Sequence, residues 1–317
     1  MKQPLAIGID IGGTNTVFGL VNQQGEILVK ETVSTEHFPL PEDLVAVVCE
    51  HIKKAFQPFT LTHQLKGVGI GAPNGNYFKG TIEFAPNLKW KGIIPIAQLF
   101  SERMGVKAML TNDANAAALG EMIFGGARNM KDFIFITLGT GLGSGIVANG
   151  ELVYGHDSCA GEIGHVIIFP DGRQCGCGRK GCLETYCSAT GIKRTYADLL
   201  MSRHEKTNLA DKVADAKYIF ERARKGDVVA IEAFDYTGKI LGLALANSVA
   251  YTSPEAIFLF GGLALSDQFI FQPTIKSFEE NLLHIYKNKI KILPSQLKEN
   301  TAPILGAASL VWKDLLS

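Results

Sequence analysis

LAIGIDIGGTN, residues 5–15, is the stretch from which the rest of the chain is read. Positions 5–11 alternate isoleucine with smaller residues, a pattern that predicts a strand. The strand stops at Gly12-Gly13-Thr14-Asn15. Without Cβ atoms, Gly12 and Gly13 let the backbone bend sharply and approach a ligand closely. Their N–H groups and the Thr14 hydroxyl could hold phosphate oxygens. Asp10 faces the same place. A carboxylate beside a polyphosphate makes sense only with a cation between them, so Asp10 points to Mg²⁺. This is not a Walker A loop, since no Gly-Lys-Ser/Thr follows. Taken alone, a plain Gly-Gly hairpin turn capped by Asp10 accounts for the same residues equally well.

Further strands are expected over 17–21 and 27–33, forming an antiparallel meander with the first. Residues 41–56 predict a helix with Leu44, Val47, Val48, Ile52 and Ala55 on one face. A strand over 68–71 ends at Ala72-Pro73, a helix follows over 94–104, and a buried strand over 106–110 stops at Thr111-Asn112-Asp113. An alanine-rich helix is expected over 114–124. The pattern then restarts with a strand over 133–138, a glycine-rich turn over 139–145 and a strand over 146–148. Thr140 and Gly141 are this turn's expected phosphate contacts. Helices are expected over 210–224, 228–251 and 303–315. A buried strand over 256–260 ends at Gly261-Gly262, which could flank an adenosine or simply end the strand. Two similar halves predict a duplicated α/β unit with a cleft and a junction within 112–130. Two glycine loops, one in each half, would suit a nucleotide clamped from both sides.

The 317 residues suffice for two ordinary domains. Hydrophobic residues make up 46% and charged residues 20%, a normal globular balance. Lys plus Arg and Asp plus Glu number 31 each, so no charge excess advertises nucleic acid or an acidic membrane. No apolar run approaches the roughly 18 residues of a membrane span. The short apolar start runs into a glycine turn with no small-residue cleavage site, which argues against a signal peptide and for the cytoplasm.

Asn112-Asp113 falls where a strand gives way to a helix, the end of an α/β strand at which ligands usually sit. A sugar hydroxyl is a poor nucleophile until a base accepts its proton, and Asp113 could do so as the bond to phosphorus forms. Asn112 offers a donor and an acceptor, which suits a sugar. Locally, an N-cap role for Asp113 on the following helix is the simpler reading.

Of the six cysteines, Cys175, Cys177, Cys182 and Cys187 crowd together. His165 with Cys175, Cys177 and Cys182 supplies the four soft ligands usual for tetrahedral zinc. A shell closed by four protein ligands would be structural. Cys-x-Cys is tighter than the usual spacing, and free thiols in a surface loop are the alternative. Cys49, Cys159 and Cys187 read as buried apolar residues. Glu162 and Glu184 flank the cluster, and a fixed loop would hold both rigidly for sugar hydroxyls. Either alone also reads as a solvated surface glutamate.

Asp10-Ile-Gly-Gly-Thr14, Leu138-Gly-Thr-Gly-Leu-Gly-Ser-Gly145, Ala85-Pro-Asn-Leu88 and Asn112-Asp-Ala-Asn-Ala116 together resemble the ROK family of bacterial sugar kinases and repressors. So does the run from Gly161-Glu-Ile-Gly-His165 through Cys175-Gly-Cys-Gly-Arg-Lys-Gly-Cys-Leu-Glu184, which resembles the family's zinc signature. The resemblance covers nearly the whole chain and is closest to the family's glucokinases. It implies an actin-like, ribonuclease-H-like fold: a small domain over 1–117 with a returning helix over 300–317, and a larger one over 118–299. It implies Asp113 as general base and Asn87, Asn112, Asp113, Glu162, His165 and Glu184 as sugar contacts. His165 would bind zinc through one ring nitrogen and face the sugar with the other. ATP, Mg²⁺ and a structural zinc are the implied cofactors, and homodimers are common in the family. One departure is Asn74, which stands between Pro73 and Gly75 where the family often joins Pro directly to Gly. The implied activity is phosphorylation of glucose at its 6-hydroxyl. Kinases for N-acetylmannosamine, N-acetylglucosamine, fructose and allose share these motifs, and polyphosphate is an alternative donor. A sugar-responsive repressor would need an N-terminal helix-turn-helix, and a first strand near residue 4 leaves no room for one.

Overall fold

The computed structural model describes residues 2–203 and 215–316. Along the chain come β1 (Gln3–Ile11), β2 (Asn15–Val21), β3 (Ile27–Ser34), α1 (Pro41–Phe56) and β4 (His63–Gly71). The short strands β5 (Gly75–Asn76), β6 (Thr81–Glu83) and β7 (Ile93–Ile94) follow, then α2 (Ile96–Met104), β8 (Ala108–Thr111) and α3 (Asp113–Phe124). The remainder is β9 (Phe133–Leu138), β10 (Leu142–Ala148), β11 (Glu151–Leu152), α4 (Ala189–Ser202), α5 (Ala216–Arg224), α6 (Val228–Thr252), β12 (Ala256–Phe260), α7 (Gln268–Asn281), β13 (Lys291–Pro294) and α8 (Ala302–Leu316). The helix expected over 210–224 begins outside the described residues. Among those residues, no helix is long and apolar enough to cross a membrane.

The chain divides into two compact units: Met1–Met130 with Leu152–Ala160 and Gln296–Ser317, and Lys131–Glu151 with Gly161–Ser295. In the first, a five-stranded sheet has the order β3-β2-β1-β4-β8. The meander β1-β2-β3 is antiparallel, whereas β1, β4 and β8 run parallel. Pro41 starts α1 with its φ already helical, Glu42 and Asp43 lie in its first turn, and Lys53 and Lys54 in its last, so both ends complement the helix dipole. Its buried face is Leu44, Val45, Val48, Cys49 and Ile52 after Pro41, with Val47 and Ala55 only partly covered. That face packs with Ile7, Ile9, Ile70 and Phe100.

The opposite face of the sheet takes α8. Gly8 on β1 and Gly69 on β4 are register partners. A Cβ at Gly8 would lie 2.2 Å from the Ile304 carbonyl oxygen, and one at Gly69 1.8 Å from that of Ala307. The paired glycines therefore admit the helix backbone directly onto the sheet. A Cβ on Gly120 of α3 would come 3.0 Å from Gly306 of α8. This packing keeps α3 whole, so a boundary between residues 117 and 118 would split a helix that runs unbroken to Phe124. The chain leaves the first unit only after Met130.

The second unit repeats the plan, with a five-stranded sheet of order β11-β10-β9-β12-β13. β9 and β10 are antiparallel, and β12 is parallel to both β9 and β13. Its core includes Ile134, Ile136, Leu241, Leu245, Ile257 and Leu259. The turn expected over 139–145 is shorter: Leu142 already pairs with Leu138, and Gly143 and Gly145 sit inside β10. Ladder hydrogen bonds to β9 hold these glycines extended despite their weak strand preference. Neither α4 nor α7 was expected. α7 contains Pro273, which rests on α6 at Gly238, where a Cβ would lie 2.5 Å from the Pro273 ring.

Candidate active site

In the first unit the C-terminal ends of three parallel strands lie side by side. Asp10 on β1 is the register partner of Gly71 on β4, and Gly71 that of Thr111 on β8. α3 begins immediately after Thr111. The N-cap is Asn112 and not Asp113: Asn112 has extended backbone, and its Oδ1 accepts the Asn115 N–H at 2.7 Å. Asn112 thus does the capping that the local pattern assigned to Asp113. Asp113 becomes the first helical residue, and its Oδ1 accepts the adjacent Ala114 N–H at 2.8 Å.

A Cβ on Gly71 would lie 3.4 Å from Asp10 Oδ1 and 3.9 Å from Asp113 Cα, so both acidic residues border this small residue. Burial, and then the negative charge of Asp113, push Asp10 up to about 7. Burial raises Asp113 as well, partly offset by the Ala114 N–H. Close carboxylates in a desolvated site favour holding a proton or a cation between them. A hard cation such as Mg²⁺ would suit such oxygen donors. Next to the pair, the Thr111 hydroxyl and both amide atoms of buried Asn115 have no hydrogen-bond partner. The sequence reading did not single out Asn115.

The first glycine loop closes through Gly12 N–H to Asn15 O at 2.9 Å. A Cβ on Gly13 would lie 2.5 Å from the Asn87 carbonyl oxygen, so the loop lies against the segment carrying Asn87. That segment is anchored by buried Ala85, Leu88 and Trp90, the last donating to Phe38 O at 3.0 Å, while Asn87 itself is exposed. Thr14 is exposed, and its carbonyl accepts the Thr35 N–H at 2.8 Å. Asn74 has an account too. Pro73 and Asn74 are the central pair of a turn closed by Gly75 N–H to Ala72 O at 3.2 Å. Asn74 takes φ +51°, a left-handed conformation that asparagine tolerates, and its amide donates to Glu83 O at 3.1 Å. Gly75 then packs on β8, where a Cβ would meet Thr111 O at 2.5 Å.

In the second unit, Gly139, Thr140 and Gly141 lie at the N-terminus of α4. Ala189 N–H donates to Gly139 O at 2.8 Å and the Thr190 hydroxyl to Thr140 O at 2.9 Å. Ser188 caps α4 by accepting the Gly191 N–H at 3.0 Å. The signal for this helix was the Ser188-Ala189-Thr190-Gly191 cap. Gly261 takes φ +99°, with a Cβ position 2.9 Å from Leu138 O, and Gly262 faces open space. The structure therefore brings Gly261-Gly262 beside the second loop, at the ends of adjacent strands β9 and β12.

His165, Cys175, Cys177 and Cys182 offer ligand atoms that all lie within 4.8 Å of one another. Cys177 and Cys182 sulfurs are 3.6 Å apart, and His165 Nδ1 is 3.8 Å from Cys175 Sγ. A tetrahedral zinc with bonds near 2.3 Å spaces its ligands about 3.8 Å apart, so the donor set fits zinc. The Arg179 backbone N–H, helped by its guanidinium, brings Cys177 down to about 6, towards the thiolate a metal requires. Glu184 Oε1 lies 3.2 Å from Cys175 Sγ, and Oε2 accepts the Leu142 N–H at 3.3 Å. This carboxylate thus joins the cysteine cluster to the second glycine loop. Glu162 is exposed and follows Gly161, whose carbonyl accepts the Ser144 hydroxyl; the same hydroxyl receives Ile163 N–H at 3.2 Å. Ser144 holds the Glu162 segment on β10, and the sequence reading had it only as loop. Arg173 bolts the cysteine loop to α4 through Gly191 O at 3.2 Å and Thr195 Oγ1 at 3.0 Å. Cys49 and Cys187 are buried as expected, whereas Cys159 is exposed.

A family model described as "ROK family" matches residues 6–314. The chain belongs to the ROK family. Among ROK relatives, the glucokinase of Thermotoga maritima is 34% identical over 310 residues, covering 96% of each chain. The glucokinase of Streptomyces coelicolor is 35% identical over 315 residues, covering 96% of this chain and 97% of that one. The crystal structure of a ROK family glucokinase from Streptomyces griseus, in complex with glucose and AMPPNP, superposes with a TM-score of 0.79. It is 34% identical and covers 98% of this chain and 99% of that one. The actin-like fold of ROK proteins accounts for the repeated strand order of the two sheets.

Proposed function

We propose that this protein is an ATP-dependent sugar kinase that phosphorylates glucose at its 6-hydroxyl. The observation that carries the reading is Asp113: a solvent-accessible carboxylate at a strand end, relieved of capping by Asn112 and raised in basicity by the protein packed around it. A raised carboxylate is a better proton acceptor near neutral pH. Asp113 takes the proton of the 6-hydroxyl while its oxygen bonds to the γ-phosphorus. The bond from that phosphorus to the bridging oxygen breaks, and ADP leaves with the electron pair. Gly12, Gly13, Thr14, Thr140, Gly141, Gly261 and Gly262 bind the nucleotide. Asp10 holds Mg²⁺, which neutralises phosphate charge when bound. Asn87, Asn112, Glu162, His165 and Glu184 bind sugar hydroxyls. His165, Cys175, Cys177 and Cys182 would hold a zinc ion, which would supply a structural crosslink for the segments that carry Glu162, His165 and Glu184. The glucokinase relatives support glucose as the acceptor and ATP as the donor. A cytoplasmic homodimer that binds no nucleic acid completes the reading.

The test is a coupled ADP-release assay across glucose, fructose, allose, N-acetylglucosamine and N-acetylmannosamine, with polyphosphate as an alternative donor. Glucose with ATP is expected to give the highest kcat/KM. An N-acylated hexosamine ranking first would overturn the substrate. Asp113→Ala is expected to lose about 10³-fold in turnover while still binding glucose. Undiminished turnover would overturn the assignment of the base.

A further inference from the structure

The segment Leu152–Ala160 follows β11 yet belongs to the first unit, and the chain enters the second unit again at Gly161, next to Glu162. Its attachment is built around Asn76, at the end of β5. Asn76 is 6% exposed, and its carboxamide makes four hydrogen bonds. Nδ2 donates to Glu83 Oε1 at 3.3 Å and to Asp157 O at 3.2 Å. Oδ1 accepts the Phe78 N–H at 3.1 Å and the Lys79 N–H at 3.2 Å. Two donors and two lone pairs are the whole capacity of an amide side chain, so every one is spent.

The partners lie on the Phe78-Lys79 turn, at the end of β6 and in the strap. The turn before Asn76 holds Gly75 against Thr111 and Asn112. Glu83 ends β6, and the chain runs on from it to Asn87. Asp157 precedes Glu162 by five positions. Around Asp157 the strap is secured again. Ser158, buried and at φ +69°, accepts the Tyr77 N–H at 2.8 Å. The Tyr77 ring stacks on Tyr154 with centroids 4.1 Å apart and planes 9° from parallel. Ala160 N–H closes back on Tyr154 O at 3.1 Å. The strap ends at Ala160, and from Gly161 the chain is held on β10 by Ser144.

We propose that Asn76, with Ser158 as its helper, is a positioning residue for the sugar: it ties to the strap the β5–β6 segment that packs on Asn112 and leads to Asn87. It touches no substrate and acts only through Asn112 and Asn87. The inference rests on the proposed sugar-kinase reading. Loss of this tie weakens sugar binding and leaves the nucleotide side alone, since neither glycine loop receives a bond from Asn76 or Ser158.

Asn76→Ala and Ser158→Ala test it. Each is expected to raise KM for glucose, about tenfold for Asn76→Ala and about threefold for Ser158→Ala. KM for ATP and kcat should stay within about twofold. The double variant is expected to fall short of the product of the two, because both act on one strap. A glucose KM within twofold of the parent in a cooperatively folded Asn76→Ala protein would overturn the inference, as would an equal rise in both KM values. If the parent phosphorylates no hexose, the kinase reading fails on its own. Hydrogen exchange then decides the strap: the amide of Tyr77 and those of 158–160 should exchange faster in Asn76→Ala, and unchanged exchange there refutes the tie.

Discussion

The turn after β1 and the turn after β9 occupy the same place in two sheets of the same strand order, yet they carry different chemistry. In the first, Ile11 pairs with Thr16 across the turn, and the penultimate strand residue is Asp10. In the second, Leu138 pairs with Leu142 across a turn one residue shorter, and the penultimate residue is Thr137. Asp10 is a carboxylate pushed up to about 7 by burial and by Asp113. Thr137 is neutral, and its hydroxyl accepts the Gly143 N–H at 3.0 Å. The first turn leans on Asn87 through Gly13. The second is braced by α4 and by Glu184. A duplicated scaffold thus supplies two equivalent places, and the side chain at one position decides which of them carries charge.

The largest break in that comparison should come from exchanging the chemistry. Asp10→Asn is expected to lower kcat by roughly 10²-fold or more, since it removes the carboxylate that would hold the cation. Thr137→Val removes only a hydroxyl that accepts one backbone N–H and should cost less than about tenfold. Steady-state kinetics on both variants checks the ratio, and equal losses would mean the two turns do equivalent work. Stripping the metal sharpens the contrast from the other side. A chelator, or Cys177→Ser, should release about one zinc per chain and raise KM for glucose about tenfold through Glu162, His165 and Glu184. Metal analysis beside kinetics decides it, and full retention of glucose affinity without zinc would separate the cluster from the sugar.

Much of this contrast was legible in the residues. Strand 133–138 and helix 41–56 fall where the sequence reading put them, the helix by its apolar face. The His–Cys set was legible because the four ligand types lie close in sequence, so little chain has to be folded before they meet. The misreadings have a common cause. Asn112 and Asp113 are both good caps, and only the extended backbone at Asn112 chooses between them. Glycines at 143 and 145 look like turn residues until β9 pairs with them. α7 hides behind Pro273, which a helix accepts here because Gly238 leaves room for its ring. The strap over 152–160 has no local signature, since Asn76 and Tyr77 meet it across some eighty positions. Wherever a partner distant in sequence made the choice, the local pattern was silent.

A smaller effect should appear in pH dependence. With Asp10 raised to about 7 and Asp113 raised by the same burial, both carboxylates must lose protons before they can work. The kcat/KM for glucose should therefore climb with pH through about 7 and flatten above it. Cation and proton compete for Asp10, so more Mg²⁺ should move the inflection to lower pH. A profile flat from pH 5 to 8 would contradict the raised pair, and an inflection indifferent to Mg²⁺ would detach Asp10 from the metal.

The smallest expected effect has the opposite sign for stability. Asp10 is raised in the folded chain from 3.8 to about 7. The folded state therefore binds this proton more tightly than the unfolded state does. Its stabilising contribution is complete below pH 3.8 and disappears as pH climbs through 7. At pH 8 the ionised, desolvated carboxylate is a net cost, and Asp10→Asn removes it. Because Asp10 keeps some exposure, the gain is on the order of 1–2 kcal/mol at pH 8, shrinking towards zero near pH 4. Thr137→Val has no ionisation to remove, so its change in stability should not vary with pH. Thermal melts of both variants at pH 5 and 8, without nucleotide or divalent cation, make the comparison. A protein that becomes more stable as it loses activity is what a site holding an unneutralised charge for its ligand should give. If Asp10→Asn is no more stable at pH 8 than at pH 5, relative to the parent, the carboxylate is not strained by its surroundings. The chemical difference between the two turns would then lie elsewhere.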